Sequence, residues 1–102
     1  MMRLPPIHPG EVLREELMRP YRLSVPQLAR AIGMSPSRLR GLIAGRTPVT
    51  AELALRLGRY FGLSPAFWLN LQQRYDLSVA ADAMQERIDR EVSPFVSGLP
   101  GW

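Results

Sequence analysis

Cysteine is absent from this chain of 102 residues. Disulfide scaffolds, thiolate zinc sites and cysteine nucleophiles are therefore excluded. Histidine occurs once, at position 8, and a zinc site built on this imidazole would need companion ligands at a defined spacing that the sequence does not offer. We predict no metal, no cofactor and no enzymatic activity, and we expect His8 to have a structural or helix-capping role.

Long hydrophobic runs are also missing, since no apolar stretch approaches the roughly 20 residues of a membrane span. The opening segment Met1–Pro6 has one charged side chain but no apolar core of the kind found in signal peptides. An apolar fraction of 46% with 22% charged residues is ordinary for one globular domain. We therefore expect a cytoplasmic protein with no membrane partner.

Lysine is absent too, and all 13 basic residues are arginine. The charge is unevenly spread: residues 1–46 carry 8 Arg and 3 Glu, for +5, while residues 47–102 carry 5 Arg and 6 acids, for −1. From Arg22 to Ala51 there are five arginines and no acid. This asymmetry favours a polyanion-binding face beside a face that packs or meets a partner. The base composition of the genome would explain the arginine content equally well.

Cap and stop residues divide the chain into five helices and predict an all-α fold, because no segment alternates with the period of a strand. Residues 1–9, with three prolines, are expected to form an extended arm. Residues 10–92 are predicted to form one domain that ends in a long helix, and residues 93–102 a mobile tail. The predicted helices are, in chain order, Gly10–Arg19, then Ser24 to Gly33, Ser35 to Gly45, Thr50 to Gly62, and Ser64 to about Glu91.

Two short helices joined by a tight turn, over Val25–Ala44, give the most specific indication of function. A helix-turn-helix needs a small residue where its two helices touch, and Ala29 is in that place. It needs a residue tolerant of positive φ in the turn, and Gly33 follows four positions later. We interpret this segment as a DNA-binding helix-turn-helix, with a purely structural helical hairpin as the alternative. The apolar residues that would hold its second helix against the first are Ile32, Met34, Leu39 and Leu42.

In a helix-turn-helix, the second helix enters the major groove of DNA. Arg38 and Arg40 are predicted to contact guanine, and Ser35 and Ser37 to contact phosphate or thymine edges. Backbone N–H groups at Ser37 and Arg38 are expected to face an anion at the helix N-terminus. For each arginine the alternative is a solvated helix face. The remaining predicted DNA-binding residues are the flanking Arg30 and Arg46, and Gly41, where glycine either allows close approach to DNA or is simply neutral.

The fifth predicted helix carries two apolar patterns. Trp68, Leu71 and Tyr75 share one face and are expected to close the core. Further along, spacings of four, three and four residues form a two-heptad seam. This seam packs either on its own domain or on a second copy of the chain, and we favour a homodimer because one recognition helix reads too few base pairs. The seam consists of Leu77, Ala81, Met84 and Ile88.

Several segments within residues 8–81 resemble the HigA-type antitoxins, which include the virulence-associated protein I-like proteins. The resemblance implies a five-helix, phage-repressor-like helix-turn-helix domain with an extended C-terminal helix. Pro36 and Arg40 depart from the family pattern, so the operator sequence does not transfer. The similar segments are His8-Pro9-Gly10-Glu11 with Leu13–Leu17, then Leu28–Gly33, Ala51–Leu57 and, most specifically, Phe67–Gln72 with Tyr75–Leu77.

The same resemblance implies an antitoxin of a type II toxin–antitoxin operon. Such a protein would repress its own promoter by binding double-stranded DNA, and would neutralise a RelE-like ribonuclease toxin from the same operon. A twofold dimer would require an inverted-repeat operator. Two alternatives stay open: a stand-alone transcriptional regulator without a toxin partner, and a toxin-neutralising protein with weak DNA binding. The neighbouring gene tests the first alternative, and the affinity for DNA tests the second.

Overall fold

The computed structural model describes residues 5–96, and every regular element in that part of the chain is a helix. The all-α fold that the sequence predicts is confirmed. The first four residues of the predicted arm and the last six of the predicted tail lie outside the described residues. The helices are α1 (Pro9–Val12), which continues as a π-helical segment over Leu13–Met18, then α2 (Val25–Ile32), α3 (Pro36–Ile43), α4 (Ala51–Phe61) and α5 (Pro65–Glu91).

Hydroxyl side chains begin the four later helices, at the positions that the sequence predicts. Each hydroxyl accepts a hydrogen bond from a backbone N–H in the first turn, and this satisfies a donor that a helix start leaves free. Ser24 forms a full capping box, because Gln27 Oε1 in turn accepts the N–H of Ser24 at 2.9 Å. The four capping residues are Ser24, Ser35, Thr50 and Ser64.

His8 caps α1, so its predicted capping role is confirmed. Its Nδ1 atom accepts the backbone N–H of Gly10 at 2.9 Å, and the helix begins at Pro9, one residue earlier than predicted. Gly10 is buried against the end of α3, where a Cβ atom would collide with the carbonyl oxygen of Leu42. Because glycine alone has no Cβ atom, it allows the start of α1 to pack directly on α3.

The second part of the first helix is wider than an α-helix, which the sequence pattern does not predict. The N–H of Arg19 bonds to the carbonyl of Arg14, five residues back, at 2.9 Å. This wider turn brings residues five apart towards the same side of the helix. Leu13 and Met18 are five apart, and both are buried. The π-helical segment therefore turns both side chains into the core.

One hydrophobic core joins all five helices. The predicted contact between α2 and α3 is confirmed, because Ala29 is 1% exposed and lies in this core. In α5 the buried residues are Trp68 and Gln72, and none of residues 73–96 is fully buried. Since α5 has 27 residues, its length is about 40 Å at 1.5 Å per residue. The second half of α5 therefore extends past the core. The largest fully enclosed side chains include Trp68, Leu13, Leu28, Leu39, Leu42 and Leu57.

Candidate nucleic-acid interface

Helix α3 presents an apolar face to the core and a polar face to solvent. Leu39 and Leu42 are buried, at 0% and 1% exposure. Ser37, Arg38 and Arg40 are exposed on the same helix. The structure therefore places these three predicted DNA-contacting residues on the accessible surface of α3, where long side chains can approach a groove of DNA.

The hydroxyl of Ser35 is engaged in capping α3. It accepts the backbone N–H of Arg38 at 3.1 Å. That N–H group is therefore not free for an anion, and the anion contact predicted at the amide of Arg38 is wrong. Ser35 is nevertheless exposed at the helix start, as is Ser37. Both residues border the surface formed by the exposed side of α3.

One backbone conformation and two hydrogen bonds fix the turn between α2 and α3. Gly33 has a φ of 72°, the left-handed conformation that its position predicts. The N–H of Met34 bonds to the carbonyl of Ala29 at 3.0 Å. Arg56 of α4 crosses the turn, and its Nη1 atom donates to the carbonyl oxygen of Ile32 at 3.0 Å. This last contact sets α4 against the helix-turn-helix and could not be predicted, because it depends on how α4 packs.

The arginines predicted to bind DNA are among those without an ion pair, as are Arg22, Arg59, Arg74 and Arg90 within residues 5–96. Four arginines elsewhere form ion pairs with carboxylates at 3.0 or 3.1 Å, namely Arg14, Arg19, Arg56 and Arg87. Among residues 5–96, no carboxylate pairs with the four predicted DNA-binding arginines, Arg30, Arg38, Arg40 and Arg46. A guanidinium group without an internal partner is available for bidentate contact with phosphate or with a base edge.

Gly41, one of the predicted DNA-binding residues, is buried and does not lie on the exposed side of α3. A Cβ atom at Gly41 would lie 3.5 Å from Cγ2 of Thr47, which is an ordinary van der Waals distance. The carbonyl oxygen of Gly41 also accepts the N–H of Arg46 at 2.9 Å. Gly41 therefore lies under the loop that follows α3, rather than on the outer surface of the helix.

A hollow of about 190 Å³ separates α3 from the start of α4. Ser37 and Arg38 border it from α3, and Thr47 and Thr50 border it from the loop and the start of α4. The Thr50 hydroxyl accepts the N–H of Leu53 at 3.3 Å as the cap of α4. Hydroxyl groups beside an arginine are typical contacts of DNA phosphates. The two threonines are missing from the predicted site because only the tertiary fold brings them next to α3.

Arg30 lies apart from the exposed side of α3. It borders a separate groove of about 580 Å³ between the end of α2 and the second half of α4. Arg56 and Arg59 line the same groove, together with Leu55 and Tyr60. The structure therefore brings Arg30 together with arginines of α4 and not with those of α3, although the sequence grouped it with the latter.

Comparison with known proteins agrees with this geometry. A helix-turn-helix domain model matches residues 10–67, more than half of the chain. Virulence-associated protein I of Dichelobacter nodosus is 48% identical over 82 residues, which cover 80% of this chain and 76% of that protein. Antitoxin HigA-1 of Vibrio cholerae is 34% identical over 92 residues, which cover 90% of this chain and 87% of that protein. This chain belongs to the HigA-type antitoxin family.

A solved structure of the same family has nearly the same fold. The structure of Pseudomonas aeruginosa antitoxin HigA with the higBA promoter matches this chain with a TM-score of 0.87 and 40% identity. The match covers 89% of this chain and 99% of that one. The five-helix architecture with a long C-terminal helix is therefore a HigA-type fold.

The long helix of this HigA-type chain carries the predicted dimer seam on its exposed half. Leu77, Met84 and Ile88 are 65%, 50% and 41% exposed, and Ala81 is half-buried. Within the part of the chain that the structure describes, the seam is thus left largely uncovered, contrary to the alternative that it packs on its own domain. Its role as a dimer contact stays a prediction. In the first half of the helix, Trp68 is enclosed as expected.

No group of three His, Asp or Glu side chains among residues 5–96 is placed to hold a metal ion. Over the same residues, no helix combines the length and the apolar character needed to cross a membrane.

Proposed function

We propose that this chain is a dimeric antitoxin that binds operator DNA and represses the promoter of its own operon. The observation that carries the proposal is the exposed side of α3, where Arg38 and Arg40 have no carboxylate partner among residues 5–96. A related antitoxin of closely similar fold was solved with promoter DNA. Unpaired arginines on the second helix of a helix-turn-helix are suited to reading the major groove.

In this proposal the arginines have two different roles. Arg38 and Arg40 make bidentate contacts to guanine O6 and N7 and so select the sequence. Arg46 lies in the loop after α3 and contacts phosphate, which positions the protein without reading a base. Thr47 and Thr50, on the far side of the hollow, add hydroxyl contacts to the same backbone. Arg30 takes no part in base contacts, because it borders a separate groove.

A dimer through α5 supplies the second recognition helix. The exposed seam carries three large apolar side chains that a second copy would cover. A twofold dimer then reads an inverted repeat whose half-sites are about one helical turn apart, roughly 34–36 Å. Two half-sites give the specificity that a single helix, which reads only a few base pairs, does not reach.

Neutralisation of a RelE-like ribonuclease toxin is the second activity that we propose. Family membership supports this second activity. Two relatives that this chain matches over most of their length are named antitoxin HigA-1 and antitoxin HigA. Co-expression with the product of the adjacent gene tests it. An antitoxin restores growth and copurifies with that product. Growth arrest that persists, with no copurification, would instead support a stand-alone regulator.

Fluorescence anisotropy with a labelled duplex from the DNA upstream of the operon tests the DNA-binding activity. We expect this duplex to bind at least about 10³-fold more tightly than a scrambled duplex of equal length. Affinity should fall steeply with salt, because arginine contacts release counterions from the phosphates. Equal affinity for both duplexes, or affinity independent of salt, would contradict the proposal.

A further inference from the structure

Two neighbouring hollows meet at Tyr60 of α4, on a part of the surface that the proposed base contacts do not use. One is the groove of about 580 Å³ that Arg30, Arg56 and Arg59 line. The other is a hollow of about 410 Å³ that residues near the end of the first helix and the end of α4 line. Tyr60 borders both. We call the groove and the hollow together the Tyr60 surface.

The groove carries unbalanced positive charge. Arg56 pairs with Glu52 at 3.1 Å. Arg30 and Arg59 are exposed and have no carboxylate partner among residues 5–96. Within the same part of the chain, no acidic side chain lines the groove. A ligand in the groove therefore meets two unpaired guanidinium groups, each able to bind a carboxylate or a phosphate through two parallel hydrogen bonds.

The hollow on the other side of Tyr60 is apolar. Leu17, Leu23 and Phe61 line it and pack, partly buried, against the core. Tyr21 and Tyr60 line it too, and they are 69% and 45% exposed. Exposed apolar surface grouped in this way is typical of an interaction site. Since tyrosine and arginine are enriched at the centres of protein interfaces, the Tyr60 surface has the composition of a protein–protein contact.

The turn that follows the first helix forms one wall of the hollow. Arg22 has a φ of 54°, in the left-handed region that residues other than glycine rarely adopt. Its N–H bonds to the carbonyl of Arg19 at 3.1 Å, and the N–H of Leu23 bonds to the carbonyl of Met18 at 2.9 Å. These bonds hold Tyr21 and Leu23 beside α4 in the free protein. A partner then binds a preformed wall, which lowers the entropy lost on association.

The Tyr60 surface is distinct from the two other surfaces to which we assign a partner. It shares no lining residue with the hollow beside α3. All its lining residues lie between positions 17 and 61, whereas the seam of α5 begins at Leu77. A protein that binds the Tyr60 surface therefore need not displace either the DNA or the second copy of the chain.

We propose that the Tyr60 surface binds the toxin, through a toxin segment that places an apolar side chain in the hollow and carboxylates in the groove. Phosphates of a nucleic acid would also satisfy the arginines, but a nucleic acid has no aliphatic side chain to fill the hollow. Leu55, 61% exposed within the groove, likewise favours a protein segment. This inference rests on the proposed toxin neutralisation. It adds a docking surface, the chemistry of the toxin segment, and simultaneous binding of toxin and operator.

Two substitutions test the two parts of the surface, each with a matched control. Tyr60→Ala removes the ring that both parts share, and Phe67→Ala is its control. Both rings pack edge to face on the ring of the next residue, they are 45% and 39% exposed, and Phe67 lies outside both hollows. Arg59→Glu reverses one charge of the groove. Its control is Arg74→Glu, since Arg74 is also an exposed helical arginine without a carboxylate partner among residues 5–96.

Isothermal titration calorimetry with the purified product of the adjacent gene measures the affinity for the toxin. We expect Tyr60→Ala and Arg59→Glu each to lose at least about thirtyfold, as tyrosine and arginine at the centre of an interface do, and the controls less than about threefold. Wild-type affinity should fall as salt rises, and that of Arg59→Glu should fall less, because one attractive charge is gone. In a gel-shift assay, operator DNA, antitoxin and toxin should migrate as one ternary complex.

A photo-crosslinker identifies the chemistry of the bound segment. With p-benzoylphenylalanine placed at position 21, beside the hollow, irradiation of the complex should link the chain to the toxin. Mass spectrometry of the linked peptide should show carboxylates next to an apolar residue. A linked segment of net positive charge, or links to a second copy of the chain alone, would overturn the inference.

The remaining outcomes separate this inference from the proposed function. Full toxin affinity in Tyr60→Ala and Arg59→Glu would overturn the toxin-binding role of the Tyr60 surface while toxin neutralisation stands. Binding of operator or of single-stranded RNA that falls in these two variants, but not in the controls, would show that the surface binds nucleic acid instead. A wild type that does not bind the product of the adjacent gene would overturn the proposed neutralisation and this inference with it. If Tyr60→Ala does not fold, Tyr21→Ala decides the question in the same way, because that side chain is 69% exposed.

Discussion

The two halves of α5 differ in burial, although both carry apolar side chains at helical spacing. Trp68 in the first half is fully enclosed, whereas Leu77 and Met84 in the second half are 65% and 50% exposed. Apolar surface removed from water stabilises by roughly 25 cal/mol per Å². The first half therefore contributes to the stability of one chain, while the apolar side chains of the second half leave their surface in contact with water. We propose that the first half of α5 serves the fold of one chain and that the second half serves assembly.

The surface charges of α3 and of the second half of α5 differ in a parallel way. On α5, Arg87 pairs with Glu91 at 3.0 Å, and residues 77–91 carry four acids and two arginines, for −2. On α3, Arg38 and Arg40 have no such partner within residues 5–96. One region thus offers unbalanced positive charge, suited to a polyanion, and the other offers an apolar seam, suited to a second copy.

The largest effect is expected from Met84→Asp combined with Ile88→Asp. Two carboxylates buried without a partner would cost several kcal/mol in a dimer contact, roughly a thousandfold or more in association. We expect a folded monomer that has lost operator binding, as judged by light scattering, circular dichroism and anisotropy. The control is Val79→Asp with Ala83→Asp, which adds the same charge at the same spacing away from the seam. That control should stay dimeric.

Two results would contradict this prediction for different reasons. A double variant that stays dimeric would show that the seam is wrongly placed. A double variant that unfolds would show that Met84 and Ile88 belong to the core of a single chain, although they are exposed in the structure.

The next largest effect is a difference in the free energy of unfolding between one leucine-to-alanine substitution in the core and one in the seam of α5. Leu57→Ala removes a side chain that is 0% exposed and should lower the free energy of unfolding by about 2–5 kcal/mol. Leu77→Ala, at 65% exposure, should lower it by less than about 0.5 kcal/mol. Urea denaturation in the monomeric double-aspartate background measures both, because association would otherwise add to the apparent stability. Equal losses would mean that the two regions are not distinct.

A smaller effect on DNA affinity is expected to distinguish the base-reading arginines from the phosphate-binding arginine of the proposed interface. Arg38→Ala should cost about 1–3 kcal/mol on the operator and relax the base preference, whereas Arg46→Ala should weaken all sequences alike. Arg19→Ala is the control, since it removes an equal charge from an arginine paired with Glu15. Anisotropy on operator and scrambled duplexes measures the ratio. An unchanged ratio for Arg38→Ala would remove the base-reading role from this residue.

The smallest effect is a gain in stability from Gly41→Ala. The added methyl group would lie 3.5 Å from Thr47 Cγ2 and meets no clash, while alanine is favoured over glycine inside a helix by up to about 1 kcal/mol. The midpoint of thermal unfolding should rise by a few degrees, with operator affinity unchanged, because the position is buried under the loop. Gly10→Ala is the contrasting variant, since its methyl group would collide with the Leu42 carbonyl and should destabilise the fold. A fall in affinity for Gly41→Ala would place this residue at the DNA after all.

Most features that the sequence predicts correctly depend on short motifs of neighbouring residues. The caps Ser24 and Thr50, the positive φ of Gly33 and the long final helix each depend on a few neighbouring residues, so short motifs are sufficient to predict them. The apolar period then indicates which face of each helix meets the core. For the same reason the exposed arginines of α3 could be located without a structure.

The features that could not be predicted depend on contacts between distant segments. Gly41 is buried because the following loop folds back over it, and Thr47 and Thr50 border α3 for the same reason. Arg30 joins a groove with arginines of α4 that lie more than 20 positions away in the sequence. Helical periodicity describes one helix at a time and does not say which surface of a neighbour it meets.

The measurement that tests the central claim most directly is the affinity of the wild type for two upstream duplexes at one salt concentration, one intact and one with a single half-site scrambled. The claim is that two copies, joined through α5, each present an α3 surface to one half of an inverted repeat. It predicts that scrambling one half-site lowers the affinity by about a hundredfold, because all base contacts of one protomer are lost while the phosphate contacts persist. Equal affinity for the two duplexes would contradict the claim.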